Sequence, residues 1–351
     1  MEPQNQNTEH KRRVRYKGTH PRHFHEKYKE ANPEKYADTI EKVIRKGSTP
    51  AGMHISIMVD EILDVLKIQP GEQGLDATLG YGGHTKAMLQ KLDGKGHMYA
   101  LDVDPIEIVK TKERLASFGF DEKILTIKQT NFANIDEVSE EAGKFDFVLA
   151  DLGVSSMQID NPDRGFSYKV DAPLDLRLDP EHGVSAAERL NELSTDDFIG
   201  MMIDNADEPY AVEIARTVMQ WKKKGRPVKT TVDLKNAIEE ALKKVPEKER
   251  KEAVKKSCAR VFQALRIDVN SEFEVLYSFL EKLPDILNPG ARVAILTFHS
   301  GEDRLVKKSF KELKKTGVYS EIAEEVIRPS AEECHRNPRA KSTKLRYAIK
   351  A

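Results

Sequence analysis

The sequence predicts a doubly wound α/β domain interrupted by a block of helices. Three observations predict it. Short apolar runs alternate with helical stretches between residues 74 and 153. The first run leads into a glycine-rich turn and then a helix. Residues 185 to 245 carry helical patterns only, and an apolar strand, "ARVAILTF", follows them. Strand and helix in alternation build a parallel sheet through right-handed crossovers.

The 351 residues suggest about two domains. A net charge of -1 with 33% charged residues excludes a polycation, so a nucleic-acid partner must be met by local patches. The two cysteines, Cys258 and Cys334, give neither a disulfide framework nor metal-ligand spacing, and no metal site is expected. A reduced, cytoplasmic setting fits this usage. No apolar run approaches the roughly 20 residues that span a bilayer. The polar start does not resemble a secretory signal.

Taken in order, residues 1–50 read as a basic extension with one helix. "HKRRVRYKGTHPRHFHEKYK", residues 10 to 29, has eight Lys or Arg against one Glu, with Tyr16, Phe24 and Tyr28 interleaved. It reads either as a solvated tail or as an arm for phosphate backbones with aromatics to stack on bases. "NPEKYADTIEKVIRKG" follows as a helix, with Asn32 as cap and Pro33 at its first position. "ISIMVDEILDVL" has helical spacing and ends at "QPGEQG". The runs "GLDATLG", "HMYALDVD", "ILTIKQ" and "FDFVLADLG" are the strands. Between them a helix opens at Asp104, with Pro105 in its first turn and Glu107 three residues after the cap. In the helical block, "SAAERLNEL" and "STDDFIGMM" each open with a serine cap. Tyr210, Ile214, Val218 and Trp221 then share one face, as do Leu234, Ile238 and Leu242. A helix from about 249 to 266 and another over "DVNSEFEVLYSFLEKL" lead back to the sheet. The domains expected are 51–159 with 254–351, and an inserted helical domain over 160–253.

"DATLGYGGH" sits at the first strand–turn–helix junction, where an open α/β sheet forms a ligand crevice. Its glycines, Gly80, Gly82 and Gly83, allow a tight turn and a close ligand. Asp102, 22 residues after Gly80, lies where an acid accepts hydrogen bonds from ribose hydroxyls. A nucleoside is therefore expected. The spacing departs from the pyrophosphate pattern, and Asp76 would repel a diphosphate but suit a cation. S-adenosylmethionine fits this better than a nicotinamide dinucleotide, which is the competing choice.

With "DLGVSSMQIDNPDRGFSY", "PLDLRLD", "FQALRIDVNSE", "TFHSGEDRLVK" and "NPRAKSTKLR", the glycine turn resembles the bacterial small-subunit rRNA methyltransferase H family, also called MraW-like. The resemblance runs from about His54 to the C-terminus, roughly 85% of the chain. It implies a class I S-adenosylmethionine-dependent methyltransferase, Rossmann-like, with an inserted all-helical domain. The implied activity is methylation of the exocyclic 4-amino group of a cytidine in 16S rRNA, position 1402 in the usual rRNA numbering, in the decoding region. Carried over by motif, the cofactor contacts would be Gly82, Gly83, His84, Asp102, Phe132, Asp151 and Gln158. Three departures stand out: Gly301 where the family usually has leucine, "DLRLD" for a Met-containing version, and Asp207 and Pro209 where Gly and Glu are usual. They leave the cofactor site intact.

An exocyclic cytosine amine is a poor nucleophile, because its lone pair is delocalised into the ring. Acceptors on its N–H bonds can turn that pair toward the methyl group, and one can then take the proton. Asp151, at the end of the fourth strand, is placed to do this or to hold the cofactor. Ser155 and Ser156 follow in the same loop, either as positioning acceptors or as local caps. His299 and Arg304 follow another strand end and so lie near the crevice. Arg164, Arg177, Arg266 and Arg339 are candidate phosphate contacts, each with an internal salt bridge as the alternative reading. The partners expected are 16S rRNA or the small subunit and no membrane; a homodimer is compatible with the sequence. Two rival readings stay open: a nicotinamide-dependent oxidoreductase, and a non-catalytic ribosome assembly factor that retains the fold.

Overall fold

The structure is a computed structural model and describes residues 56–155, 158–159 and 161–351. The basic arm, the helix expected from Asn32, and Ser156 lie outside the described residues. Helix α1 (Val59–Leu66) leads into strand β1 (Gln73–Asp76). Then come α2 (Gly83–Leu92), β2 (His97–Asp102), α3 (Pro105–Ser117), β3 (Leu125–Gln129), α4 (Ile135–Ala142) and β4 (Phe145–Asp151). The helical block holds α5 (Ala186–Glu192), α6 (Thr195–Ala206), α7 (Ala211–Lys223) and α8 (Thr231–Ala241). Helices α9 (Glu247–Val269) and α10 (Glu272–Lys282) return the chain to β5 (Leu287–Thr297). Helix α11 (Ser300–Lys315), β6 (Tyr319–Ile322), α12 (Ala331–Arg336) and β7 (Lys344–Lys350) complete it.

Among the described residues, seven strands lie in the order β3-β2-β1-β4-β5-β7-β6. The pairs from β3 to β5 are parallel, and β7 is antiparallel to both its neighbours. Sequence order reverses between β1 and β4, which opens a crevice beyond the carboxyl ends of those strands. Asp76, Asp102 and Asp151 all stand at such ends. Within β4, successive residues serve opposite faces of the sheet. Phe147 and Leu149 join Met88, Leu89 and Met98, whereas Val148 and Ala150 join Leu75, Ile295 and Phe279. A strand buried on both faces reads as a continuous apolar run, which is why "FDFVLA" shows no alternation.

The helices between β4 and β5 have a hydrophobic core of their own. Phe198, Ile214, Val218, Trp221, Leu234, Ile238 and Leu265 pack together there. Caps set the starts of these helices. Ser185 and Thr230 each form a reciprocal capping box, with Glu188 and Asp233 respectively. Helix α9 is the longest among the described residues, at 23 residues. Its Cys258, Val261 and Leu265 belong to the helical core, while Arg266 and Asn270 line the crevice. It therefore joins the helical block to the site. Strands β6 and β7 had no counterpart in the sequence reading. "KLRYAIK" is short and half polar, because β7 lies toward the edge of the sheet.

Candidate functional site

Asp102 ends β2 and holds the glycine turn. One oxygen accepts from Gly80 N (2.7 Å) and the other from Asp104 N (2.9 Å). Each oxygen keeps a second acceptor position, and the side chain lines the crevice. Burial pushes its carboxyl up to about 6 against these backbone donors. Gly82 lies in the left-handed region at φ 78°. A Cβ there would meet Thr111 Cγ2 at 2.7 Å, so glycine is required on both counts. Thr111 also donates to Gly80 O (2.6 Å), and Arg114 to Tyr81 O (2.7 Å). Helix α3 thus supports the turn from behind.

Asp76 does not face the ligand, and this corrects the sequence reading. It is 1% exposed. It accepts from Thr78 N (3.0 Å) and from Thr85 Oγ1 (2.6 Å). Burial raises its carboxyl despite these donors. Its role is to brace the turn from within. Beside the glycine turn, the carboxylates that line the crevice are Asp102 and Asp151.

His84 lies in the first turn of α2 and points at the end of β4. Its Nε2 is 3.4 Å from Asp151 Oδ2. That is a weak contact: His84 Nε2 and Asp151 Oδ1 are both buried and have no hydrogen-bond partner. Burial alone would lower the imidazole. Asp151, with Asp76 and Glu333 behind it, outweighs burial and raises it. Thr78 Oγ1 accepts from Asp151 N at 2.7 Å and fixes that backbone. Phe132 lies edge-on to Phe279, with ring centroids 5.3 Å apart, and lines the same cavity.

Glycine turn, Asp102, Phe132, Asp151, Ser155 and Gln158 all border one cavity of about 440 Å³. Its far wall is Arg266, Asn270, Glu272, His299 and Glu302. Within that wall Arg266 grips Glu272 with two hydrogen bonds, 2.7 and 2.9 Å. His299 Nε2 is 3.1 Å from Glu302 Oε1, and Glu302 Oε2 accepts from Phe298 N at 2.8 Å. Burial would raise the Glu302 carboxyl, but His299, that backbone donor and Arg266 together hold it below its ordinary range. Glu272, His299 and Glu302 bring donor atoms within 4.8 Å of one another, yet Arg266 already occupies both oxygens of Glu272. We read the group as a salt-bridged wall. Glu272 was missed as a site residue; its signal was the acid following an Arg within "RIDVNSE".

Three of the arginines expected on phosphate have internal partners instead. Arg164 is 7% exposed. It donates to Asp104 Oδ2 (2.7 Å) and to the carbonyls of Arg177 and Leu178. Arg177 makes two hydrogen bonds to Asp175, and Arg266 is held by Glu272. Guanidiniums so committed have no fork left for a phosphate. Arg304 is exposed on α11, and Arg339 lines the cavity. Gln158 donates to Asp104 Oδ2 (2.8 Å). The Ser155 hydroxyl accepts from Gln158 N (3.1 Å), which is the local-cap reading.

These features fit a cationic nucleoside such as S-adenosylmethionine. Asp102 has free acceptor positions for sugar hydroxyls. The two carboxylates suit an ammonium and a sulfonium, and Asp151 and His84 line a cavity large enough for a small ligand.

Comparison with known proteins places the chain. A model of the MraW methylase family matches residues 51–351. Ribosomal RNA small subunit methyltransferase H 1 of Lachnoclostridium phytofermentans is 69% identical over 348 residues, covering 99% of this chain and 95% of that protein. The protein of the same name from Agathobacter rectalis is 63% identical, covering 98% of each. Ribosomal RNA small subunit methyltransferase H of Clostridioides difficile is 37% identical, over 85% of this chain and 98% of that one. Among solved structures, a putative rRNA-methylase from Clostridium thermocellum aligns with 85% of this chain and all of its own, at TM-score 0.43 and 11% identity. With most of its length matched by the family model and by these relatives, the chain belongs to the MraW methylase family, class I methyltransferases whose methyl donor is S-adenosylmethionine.

Proposed function

We propose that this protein methylates small-subunit ribosomal RNA in the cytoplasm, at the exocyclic 4-amino group of cytidine 1402 of 16S rRNA in the decoding region. The names of the relatives support the rRNA substrate. The observation that carries the chemistry is Asp151: a carboxylate 26% exposed, at the end of β4, lining the cavity that also holds the glycine turn and Asp102.

When bound, the cofactor supplies a methyl group on a positively charged sulfur. The residues do the rest. Asp102 holds the sugar and Phe132 flanks the cavity. Gly82, Gly83 and His84 form the floor, and Gln158 ties the loop after β4 to α3. The Asp151 carboxylate accepts an N–H of the target amine, which turns the nitrogen lone pair toward the methyl carbon, and afterwards takes the proton released by nitrogen. Alignment of this kind supplies up to about 7–11 kcal/mol of the barrier reduction. The target base must leave its stack to reach the cavity, which costs a few kcal/mol. Residues 160–253 act as the inserted recognition domain and residues 1–50 as a basic arm that holds the surrounding RNA. Arg304, exposed on α11, is the phosphate contact that remains from the sequence reading.

Mass-spectrometric mapping of methylcytidine in 16S rRNA from cells with and without the gene tests this. The expected result is loss of N(4)-methylation at the one cytidine. An unchanged rRNA methylation pattern sinks the reading.

A further inference from the structure

A second cavity, of about 670 Å³, adjoins the first; the two share His299 and Gln263 as lining residues. Four helices build the second cavity: the end of α6, the middle of α9, the start of α10 and the start of α11. Phe273 and Tyr277 lie one turn apart on α10 and both face it, and Tyr277 is 57% exposed. Arg260 of α9 and Arg304 of α11 also line it. Neither has an ion-pair or hydrogen-bond partner among the described residues, unlike Arg164, Arg177 and Arg266. Ser300 and Gly301 bring the first turn of α11 to the same space, where backbone N–H groups lack intrahelical acceptors. Asp204, Asp207 and Glu274 form the rest of the charged lining, with Asn205 beside them.

We propose that this cavity is a nucleotide subsite, occupied by the residue next to the target base when RNA is bound. The inference rests on the rRNA reading above. The chemistry matches a nucleotide part by part. Two aromatic rings one helical turn apart offer a stacking surface. Two uncommitted guanidiniums and a helix N-terminus suit a phosphate. The carboxylates and amides accept from the amino edges of a base. Continuity supplies the last element: a strand seated here passes its neighbouring base across His299 and Gln263 into the methyl-donor cavity.

Gly301 is built into this arrangement. A Cβ at Gly301 would meet the Phe273 ring at 2.6 Å and His299 Nδ1 at 3.1 Å. The missing side chain lets the ring lie against the start of α11, 5.8 Å from the His299 ring. Gly301 thereby sets the shape of the wall between the two cavities.

Full-length Phe273→Ala, Tyr277→Ala and Arg260→Gln proteins test the subsite. The probe is small ribosomal subunits from cells lacking the gene. Methyl transfer gives kcat and KM, filter retention gives RNA-particle affinity, and calorimetry gives S-adenosylmethionine affinity. Each variant is expected to weaken particle binding and raise KM for the particle, by about tenfold for an aromatic, with kcat and cofactor affinity kept. Ultraviolet crosslinking should place a nucleotide adduct on Phe273 or Tyr277 in the parent. Unchanged particle affinity in all three variants overturns the proposal. Filter retention reads the subsite even if the parent transfers no methyl group, so failure of the rRNA methylation reading stays distinguishable from failure of this one.

Discussion

The Asp102 side chain shows a function held at the expense of stability. Burial raises its carboxyl from 3.8 to about 6, above the value it has unfolded. The folded state therefore binds the proton more tightly, and the charged form present at neutral pH opposes folding. In the absence of cofactor the parent's melting temperature should fall as the pH rises from 3.8 through about 6, and this dependence should be lost in Asp102→Asn, whose amide does not titrate. The same variant should lose tenfold or more in S-adenosylmethionine affinity, in line with one charge-assisted hydrogen bond. Melting curves across pH and calorimetry check both halves. Asp151→Asn separates the roles of the carboxylate beside it. We expect kcat to fall about a hundredfold or more, as for loss of a positioned proton acceptor, with a smaller change in cofactor affinity. At this scale the sequence was informative about position and poor about partners. Asp102 and Asp151 were legible because strand ends place side chains at the crevice. For Arg164, Arg177 and Arg266 the sequence left phosphate contact and internal salt bridge both open, because a guanidinium looks the same whether it awaits a phosphate or already holds a carboxylate.

Elements are held at their ends. The Arg164–Asp104 pair ties the cap of α3 to the loop after β4 and, through the Arg177 and Leu178 carbonyls, to the segment ahead of α5. Arg164 is 7% exposed and Asp104 fully buried. Removing one partner of a buried pair leaves an uncompensated charge, so Arg164→Met should cost about 3–5 kcal/mol in denaturant unfolding. Lys235→Ala, which breaks an exposed pair with Glu239 on α8, should cost no more than about 0.5 kcal/mol. Thr230→Ala removes the capping box of α8 and should cost about 1 kcal/mol. Several helix starts were legible in advance, since Asp104, Ser185 and Ser194 each carry an oxygen that meets a backbone N–H locally. The late strands were not, because β7 pairs with β5 across 47 or more residues of chain and its own sequence is half polar.

For the whole molecule, coverage by relatives separates two parts. Relatives 69% and 63% identical align over nearly all of this chain, whereas those near 37% cover about 85% of it. The N-terminal extension thus accompanies a subset of the family. Deleting residues 1–50 is expected to weaken binding to small-subunit particles and to flatten its salt dependence, because each phosphate neutralised by Lys or Arg releases counterions. Cofactor affinity should be unchanged. Filter retention at several salt concentrations, beside calorimetry, measures this; an identical salt slope in both proteins would remove the arm from the RNA contact. The sequence by itself determined the alternation of strand and helix, the helical interruption, the glycine turn and the acid on β2, since each depends on neighbours in the chain. Only the tertiary structure decided which charges are free. Asp76 turned inward, Arg164 became a strut, and Glu272 and Glu302 joined the wall of the cavity, because burial and pairing are set by residues brought together from distant parts of the chain.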